Sequence, residues 1–346
     1  MTWQLHSAVT EGQTLVLPVR EETQIGESRR AVGVQARLLE FDEGAQGRIA
    51  IIASEMATNL VRHGGGGEIL CRLLPGDAGI ELIACDRGRG MVDVEECLRD
   101  GFSTAGTAGT GLGAIRRLAN LFDLYSAPGV GTVVLAQVLV TPAHTPVNPV
   151  AAPRFIIGAV CVPLAGEIAC GDRWLVETYG HLLRVTVVDG LGHGMEAATA
   201  AVAAIRTANA ASGVAPAQVL DAIHRQLGVS RGAAVAICHV NQDTRGAVYC
   251  GIGNIAGVIV GNDQRRGMVS HNGIVGHQMH PPKEFAYPWV EGALLVMHSD
   301  GLQTRWSLEA YPGLRLHHPG VIAAVLRRDF TRGNDDLCVV VVKERS

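Results

Sequence analysis

Four aspartates in the second half of the chain sit next to small residues at expected strand ends. They are Asp172 in Gly171-Asp172, Asp189 in Val188-Asp189-Gly190-Leu191-Gly192-His193-Gly194, Asp300 in Ser299-Asp300-Gly301 and Asp335 in Asn334-Asp335-Asp336. Carboxylates presented at strand ends are ligands for hard divalent cations such as Mg2+ and Mn2+. Two such cations ~4 Å apart clamp a phosphoryl group and activate water against it. One Asp-Gly pair is an ordinary turn, but four such aspartates in this order are much less easily dismissed. The first half holds a different set. Glu55 and Asn59 lie four apart on a run whose Ile49, Ile52, Met56 and Leu60 recur at helical spacing. On a helical wheel Asn59 falls within that stripe and Glu55 on its edge, and inward polar groups are costly unless something polar meets them. Asp86-Arg87-Gly88-Arg89-Gly90 follows a strand-like run. Its glycines let backbone approach a ligand, and its carboxylate can accept from an exocyclic amine. Gly109-Thr110-Gly111-Leu112-Gly113 opens a helix, and N–H groups in such a turn suit phosphate.

These residues need elements to hold them. In the first half the patterning predicts strands over 14–19, 68–74, 80–85 and 132–140, with helices over 25–39, 46–62 and 114–121. The second half is richer in strands, at 156–162, 182–188, 233–240, 247–250, 294–297 and 337–342, around alanine-rich helices at 196–211 and 216–227. Between the halves, Thr141 to Pro153 places four prolines in 13 residues with no helical or alternating period, an extended linker. The expected division is therefore 1–140, a linker 141–153, and 154–346, each half α+β.

Composition narrows the function classes. The 346 residues carry a net charge of −4 and are 47% hydrophobic. That balance lacks the basic footprint of a nucleic-acid binder. No apolar run reaches the ~20 residues of a membrane span, and the first residues lack a basic-then-apolar leader. Eight cysteines without a C-x-x-C pair indicate neither a zinc ribbon nor a disulfide framework. The expectation is a cytoplasmic protein that binds neither nucleic acid nor membrane. His271, His277 and His280 fit no ligand spacing and read as a polar loop, as do His317 and His318. His193 reads as a loop residue near the metals rather than a catalytic acid.

In order, Glu55…Asn59, Asp86…Gly88…Gly90, Gly109…Gly111…Gly113 and Gly131-Thr132 resemble the boxes of the Bergerat-fold ATPases of the GHKL superfamily. The run Ser54 to His63 looks like the anti-sigma-factor serine kinases, in particular the stressosome switch kinases. The resemblance implies an α/β sandwich with helices on one face of a mixed sheet. It implies ATP held by Asn59, Asp86, Gly88, Gly90, Gly109, Thr110, Gly111, Leu112, Gly113 and Thr132, with Asn59 on Mg2+, Asp86 on the adenine amine and Glu55 as catalytic base. The second half, with Val187 to Ala198 as its strongest stretch, resembles the SpoIIE-like branch of the metal-dependent PPM serine/threonine phosphatases, most of all the stressosome feedback phosphatases. An αββα sandwich and two Mn2+ or Mg2+ are implied. Asp189 would bridge the ions, the Gly190 carbonyl would ligate one, and Asp172, Asp300 and Asp335 would complete the shell. Asp336 competes with Asp335 for that role, and Cys338 stands where threonine is usual. The implied whole is a serine/threonine kinase fused to an opposing phosphatase in partner switching. Its partner would be a STAS-domain protein, an anti-sigma antagonist or stressosome component, with a sigma factor or downstream phosphatase regulator as further partners. The alternative is an ATP-dependent binding module that sequesters a regulator, fused to an active phosphatase.

Overall fold

Apolar positions at helical and strand periods account for most of the secondary structure. The computed structural model describes residues 12–74, 76, 78–98, 111–140, 154–211, 213–261 and 264–345. The expected linker and the residues Gly109 and Thr110 lie outside this set. Among the described residues, those of Met1–Ala151 and of Leu308–Val325 form one compact unit, and those of Ala152–Ser307 and Leu326–Ser346 form a second. Leu308–Val325, expected with the second half, is thus part of unit 1.

Unit 1 runs β1 (Thr14–Val19), α1 (Thr23–Leu38), α2 (Glu43–Arg62), β2 (Gly67–Leu73), β3 (Gly79–Asp86), α3 (Val94–Cys97), α4 (Gly111–Leu118), β4 (Leu121–Ala127) and β5 (Gly131–Leu139). Asp42 caps α2 by accepting the Ala45 N–H at 2.7 Å, and Glu43 complements the positive end of the helix. Ile49, Ile52, Met56 and Leu60 are buried as their spacing requires, against Ile69, Leu82 and Val134 of the sheet. The strand order is β1-β2-β3-β5-β4. The expected mixed sheet is antiparallel at every described pairing, because β3 and β4, which run the same way, are separated by β5. β4 was not expected, since Asp123 and Ser126 break its apolar alternation. Helix α4 begins inside the glycine motif, three residues before the expected start, and stops at Leu118 so that β4 can begin at Leu121.

Two polar devices stand out in unit 1. Arg72, Glu81 and Gln137 are aligned across β2, β3 and β5. Arg72 donates to Glu81 Oε1 through Nε at 3.0 Å and Nη2 at 2.6 Å, and Gln137 Nε2 donates to Oε2 at 2.7 Å. His317 and His318 are more than a polar loop: His317 Nδ1 lies 2.8 Å from Asp123 Oδ1, and His318 N donates to Oδ2 at 2.6 Å. Burial pushes the Asp123 carboxyl up, but those hydrogen bonds outweigh it and hold the group below its ordinary value.

Unit 2 stacks two five-stranded antiparallel sheets. Its strands are β6 (Phe155–Val162), β7 (Asp172–Tyr179), β8 (Leu182–Gly190), β9 (Ala233–Asn241), β10 (Gly246–Ile252), β11 (Ala256–Val260), β12 (Arg265–Gly267), β13 (Phe285–Pro288), β14 (Leu294–His298) and β15 (Leu337–Glu344). The orders are β13-β10-β9-β8-β7 and β12-β11-β14-β15-β6. Their facing side chains, among them Trp174, Val187, Tyr249, Met297 and Val340, form one core. Helices α5 (Met195–Ala210) and α6 (Pro216–Leu227) cover the other face of the first sheet, the alanines of α5 permitting close approach. The last helix, α7 (Pro319–Phe330), was not expected; its residues to Val325 belong to unit 1 and the rest to unit 2. Strand β7 was missed because Asp172, Arg173 and Glu177 interrupt its apolar pattern.

The Arg72–Glu81 pair yields a stability prediction. Glu81→Ala withdraws the carboxylate that two Arg72 nitrogens and Gln137 share in a buried place. It is expected to cost unit 1 about 3–5 kcal/mol in urea unfolding. The double change Arg72→Met with Glu81→Leu is expected to recover most of that loss, and equal destabilisation by the single and double changes would contradict the account.

Candidate nucleotide and metal sites

The unit 1 site is built where α2, the end of β3 and the start of β5 meet. Glu55 and Asn59 are half-buried on α2. A Cβ on Gly111 would lie 3.0 Å from Glu55 Oε2 and 3.5 Å from Asn59 Oδ1, so the glycine motif starts α4 directly over this pair. Asp86 Oδ1 accepts the Gly88 N–H at 2.8 Å and the Thr132 N–H at 3.1 Å, which ties both glycine-bearing turns to one carboxylate. Gly90 has φ +69°, and a Cβ there would collide with the Ala127 carbonyl, so no other residue fits this turn without strain. Asn59, Asp86, Gly88, Gly90, Gly111 and Thr132 are therefore gathered, and Leu112 and Gly113 follow in the first turn of α4. Ser126, missed from sequence, is 2.9 Å from Thr132 Oγ1 and accepts the Met91 N–H at 3.0 Å. A cleft on the neighbouring flank of α2 is lined by Ile25, Arg29, Ser54, Val61 and Arg62.

A nucleotide with Mg2+ fits these donors. The buried Asn59 Nδ2 has no hydrogen-bond partner among the described residues, a cost that a bound polar ligand removes. Backbone approaches the site through glycine, leaving room for phosphates.

The unit 2 site lies where the ends of the two sheets meet. Register places Asp172, the first residue of β7, opposite Asp189 on β8. Asp300 follows β14, and a Cβ on Gly301 would collide with the Asp336 carbonyl, so the Asp300 turn is pressed against the chain entering β15. Ser299 joins the sheets: its Oγ donates to Asp172 Oδ2 at 2.6 Å and accepts the Cys338 N–H at 2.9 Å. Sequence reading passed over Ser299, although its place before Asp300 was the available signal. The Cys338 amide serves here, so the absence of threonine leaves this link intact. Asn254 Nδ2 donates to Asp300 Oδ2 at 2.7 Å. Asp336 is buried and spends both oxygens on backbone, accepting from Leu164 N at 2.6 Å and Gly171 N at 2.7 Å. Asp335 is less buried, and its Oδ1 accepts the Asp336 N–H at 2.8 Å.

The electrostatics are those of a cation site. Burial first, and then the charges of Asp300, Asp335 and Asp336, push the Asp189 carboxyl up to about 8. Burial and the Asp189 charge push Asp172 well above the ordinary range. Among the described residues, no three acidic, imidazole or thiol groups converge on one point as the side chains stand. Asp300 is instead turned to Asn254 and Asp336 to the two amides. An all-oxygen donor set of mutually repelling carboxylates fits Mg2+ or Mn2+. His193 pairs with Glu167 at 2.7 Å beside this cluster. His271, His277 and His280 join no such group.

Comparison with known proteins finds two family matches in the chain. Residues 17–138 match the histidine kinase-like ATPase domain family, and residues 179–345 match the family of stage II sporulation protein E (SpoIIE). The serine/threonine-protein kinase RsbT of Bacillus subtilis (strain 168) is 38% identical over 103 residues, 29% of this chain and 77% of RsbT. A structure from work on the bacterial stressosome as a modular system adapted to control secondary messenger signaling is 29% identical. It covers 55% of this chain and 100% of its own, with a TM-score of 0.52. A structure of RsbX in complex with magnesium is 19% identical, covering 55% of this chain and 96% of its own, with a TM-score of 0.49. No described helix is long and apolar enough to cross a membrane. Through its ATPase domain the chain belongs to the family of the serine/threonine-protein kinase RsbT, and the segment that follows matches the SpoIIE family.

Proposed function

We propose that this chain phosphorylates and dephosphorylates serine or threonine on a STAS-domain protein of a partner-switching pathway. The observation that carries the kinase half is Glu55: a carboxylate beside the unpartnered Asn59 amide and under Gly111 is something a pure sequestering module does not need. In this reading Asn59 holds Mg2+, and Asp86 receives the adenine amine while Gly88 and Thr132 fix its carboxylate. The N–H groups of the 109–113 motif receive the phosphates. Glu55 accepts the proton of the seryl hydroxyl as its oxygen bonds to the γ-phosphorus and ADP leaves. The cleft along Ser54 and Arg62 gives a protein substrate access to that face of α2. The similarity to RsbT and to a stressosome structure supports the substrate class.

In the phosphatase half, Asp189, paired in register with Asp172 and within reach of the Asp300 charge, would hold both cations, aided by the Gly190 carbonyl, with Asp172, Asp300 and Asp335 completing the set. The cations supply Lewis acidity for phosphate-ester hydrolysis when bound. Ser299 fixes Asp172 through its hydroxyl, and Asn254 steers Asp300. Asp336 anchors the Leu164 and Gly171 amides instead of facing the ions, which favours Asp335 as ligand.

Three outcomes test this. Glu55→Gln is expected to keep binding of an ATP analogue while slowing transfer of labelled phosphate to a STAS-domain protein ~10²–10⁴-fold. Transfer at the unaltered rate would leave ATP as a ligand only and unit 1 as a binding module. Asp189→Asn is expected to abolish Mn2+-dependent release of phosphate from the phosphorylated protein and from p-nitrophenyl phosphate without unfolding the chain, and retained turnover would refute the two-metal reading. Stability should also follow pH. In EDTA, native Asp189 stays protonated up to about 8 against an ordinary 3.8, so its contribution is full below that ordinary value and is lost as pH rises through 8. The melting temperature of unit 2 in EDTA is expected to fall over that interval. Added Mn2+ is expected to raise it more at the alkaline end than at the acid end, and a pH-independent Mn2+ effect would contradict the assignment.

A further inference from the structure

The loops bordering the acid cluster of unit 2 carry large apolar side chains in solvent. Val229 is 101% exposed, Ile168 74%, Met195 70% and Leu191 38%. Elsewhere among the described residues of unit 2, Val269 and Val290 are exposed to a comparable degree, away from this cluster in sequence. Single exposed apolar residues need no explanation, but several on joined loops form a patch.

The structure joins these loops in three places. His193 reaches Glu167, the neighbour of Ile168. The Leu191 N–H donates to the Gly232 carbonyl at 3.1 Å. Arg231, two residues from Val229, pairs through Nε with Glu196, the neighbour of Met195. The same loops reach the carboxylates. A Cβ on Gly171 would lie 2.8 Å from Asp336 Oδ2 and 3.4 Å from the Gly192 carbonyl, while one on Gly192 would lie 3.2 Å from Arg231 Nη1. The patch therefore lies on loops that border the carboxylate cluster.

We infer that Ile168, Leu191, Met195 and Val229 form a protein-docking rim that binds apolar side chains flanking the phosphorylated residue of a folded phosphoprotein. The inference rests on the phosphatase reading of unit 2. The occupant follows from position and charge. Whatever fills the rim must present a phosphoryl group to the carboxylate cluster beneath it. The basic side chains of the rim, Arg231 and His193, already pair with Glu196 and Glu167, so the surface offers apolar contact with a polar edge whose groups are paired. That composition suits a protein partner and gives a polyanion such as nucleic acid little to hold. A small aryl phosphate reaches the carboxylates without touching the rim.

The test uses the full chain with Mn2+ and two substrates, p-nitrophenyl phosphate and a STAS-domain protein carrying phosphoserine installed during translation. The double variant Met195→Ser, Val229→Ser is expected to raise KM for the phosphoprotein about ten-fold or more, with kcat for it and both constants for the aryl phosphate unchanged. Met195→Leu with Val229→Ile is expected to behave as the unaltered chain. Unchanged kinetics on both substrates in the serine variant would overturn the rim, and so would an equal loss on both, which would place these residues in support of the metal shell. Hydrolysis of the aryl phosphate but not the phosphoprotein by the unaltered chain would overturn the docking role and leave the phosphatase reading standing. Hydrolysis of neither would overturn both.

Discussion

Mutual repulsion among carboxylates at one end of two stacked sheets is the constraint around which unit 2 is organised. Asp172 and Asp189 face each other across a strand pair, and Asp300, Asp335 and Asp336 approach from the opposing sheet. Burying like charges together costs free energy that folding alone does not return. The structure limits the cost by giving the carboxylates hydrogen-bond partners: Ser299 for Asp172, Asn254 for both Asp300 and Asp189, and backbone amides for Asp336. What stays unbalanced is centred on Asp189. On the proposed reading a divalent cation would remove that imbalance, and metal binding would then be linked to the stability of this end of the unit.

Unit 1 solves a different problem with different means. A nucleotide brings its own charge, so its site needs backbone donors and space more than side-chain charge. Glycines supply both, and the fixed points are few: Asp86 ties two turns together, and Gly111 brings α4 down over Glu55 and Asn59. The sheet behind the site is held by Arg72, Glu81 and Gln137 in one row across three strands. The segment Leu308–Val325 completes the unit, with Asp123 as its anchor. Through that segment a compact body recruits chain from far along the sequence.

Much of this was legible before any coordinates. The stripe on α2, the strands around Asp86 and Asp189, and the alanine-rich α5 announced themselves through period and composition, because a one-sided core imposes its spacing on the residues that face it. Strands β4 and β7 did not, since Asp123, Ser126, Asp172 and Glu177 occupy positions where alternation calls for apolar residues. These residues are polar because they bond other parts of the chain. The same polarity that hides a strand from pattern reading marks where the strand meets a partner.

The sequence by itself singled out the candidate residues: Glu55, Asn59 and Asp86 in one set, Asp172, Asp189 and Asp300 in the other, each in its own glycine context. Only tertiary structure decided how these groups are used. Asp335 and Asp336 are adjacent and chemically identical in the sequence. Folding alone sets Asp336 against the Leu164 and Gly171 amides, more than a hundred and sixty residues away, and leaves Asp335 outside that grip. Ser299 likewise became a link between sheets only when β14, β15 and the start of β7 met. Local sequence sets dihedral preference and periodicity, which act over a few residues. A hydrogen bond between distant loops exists only once the core has packed and fixed their separation.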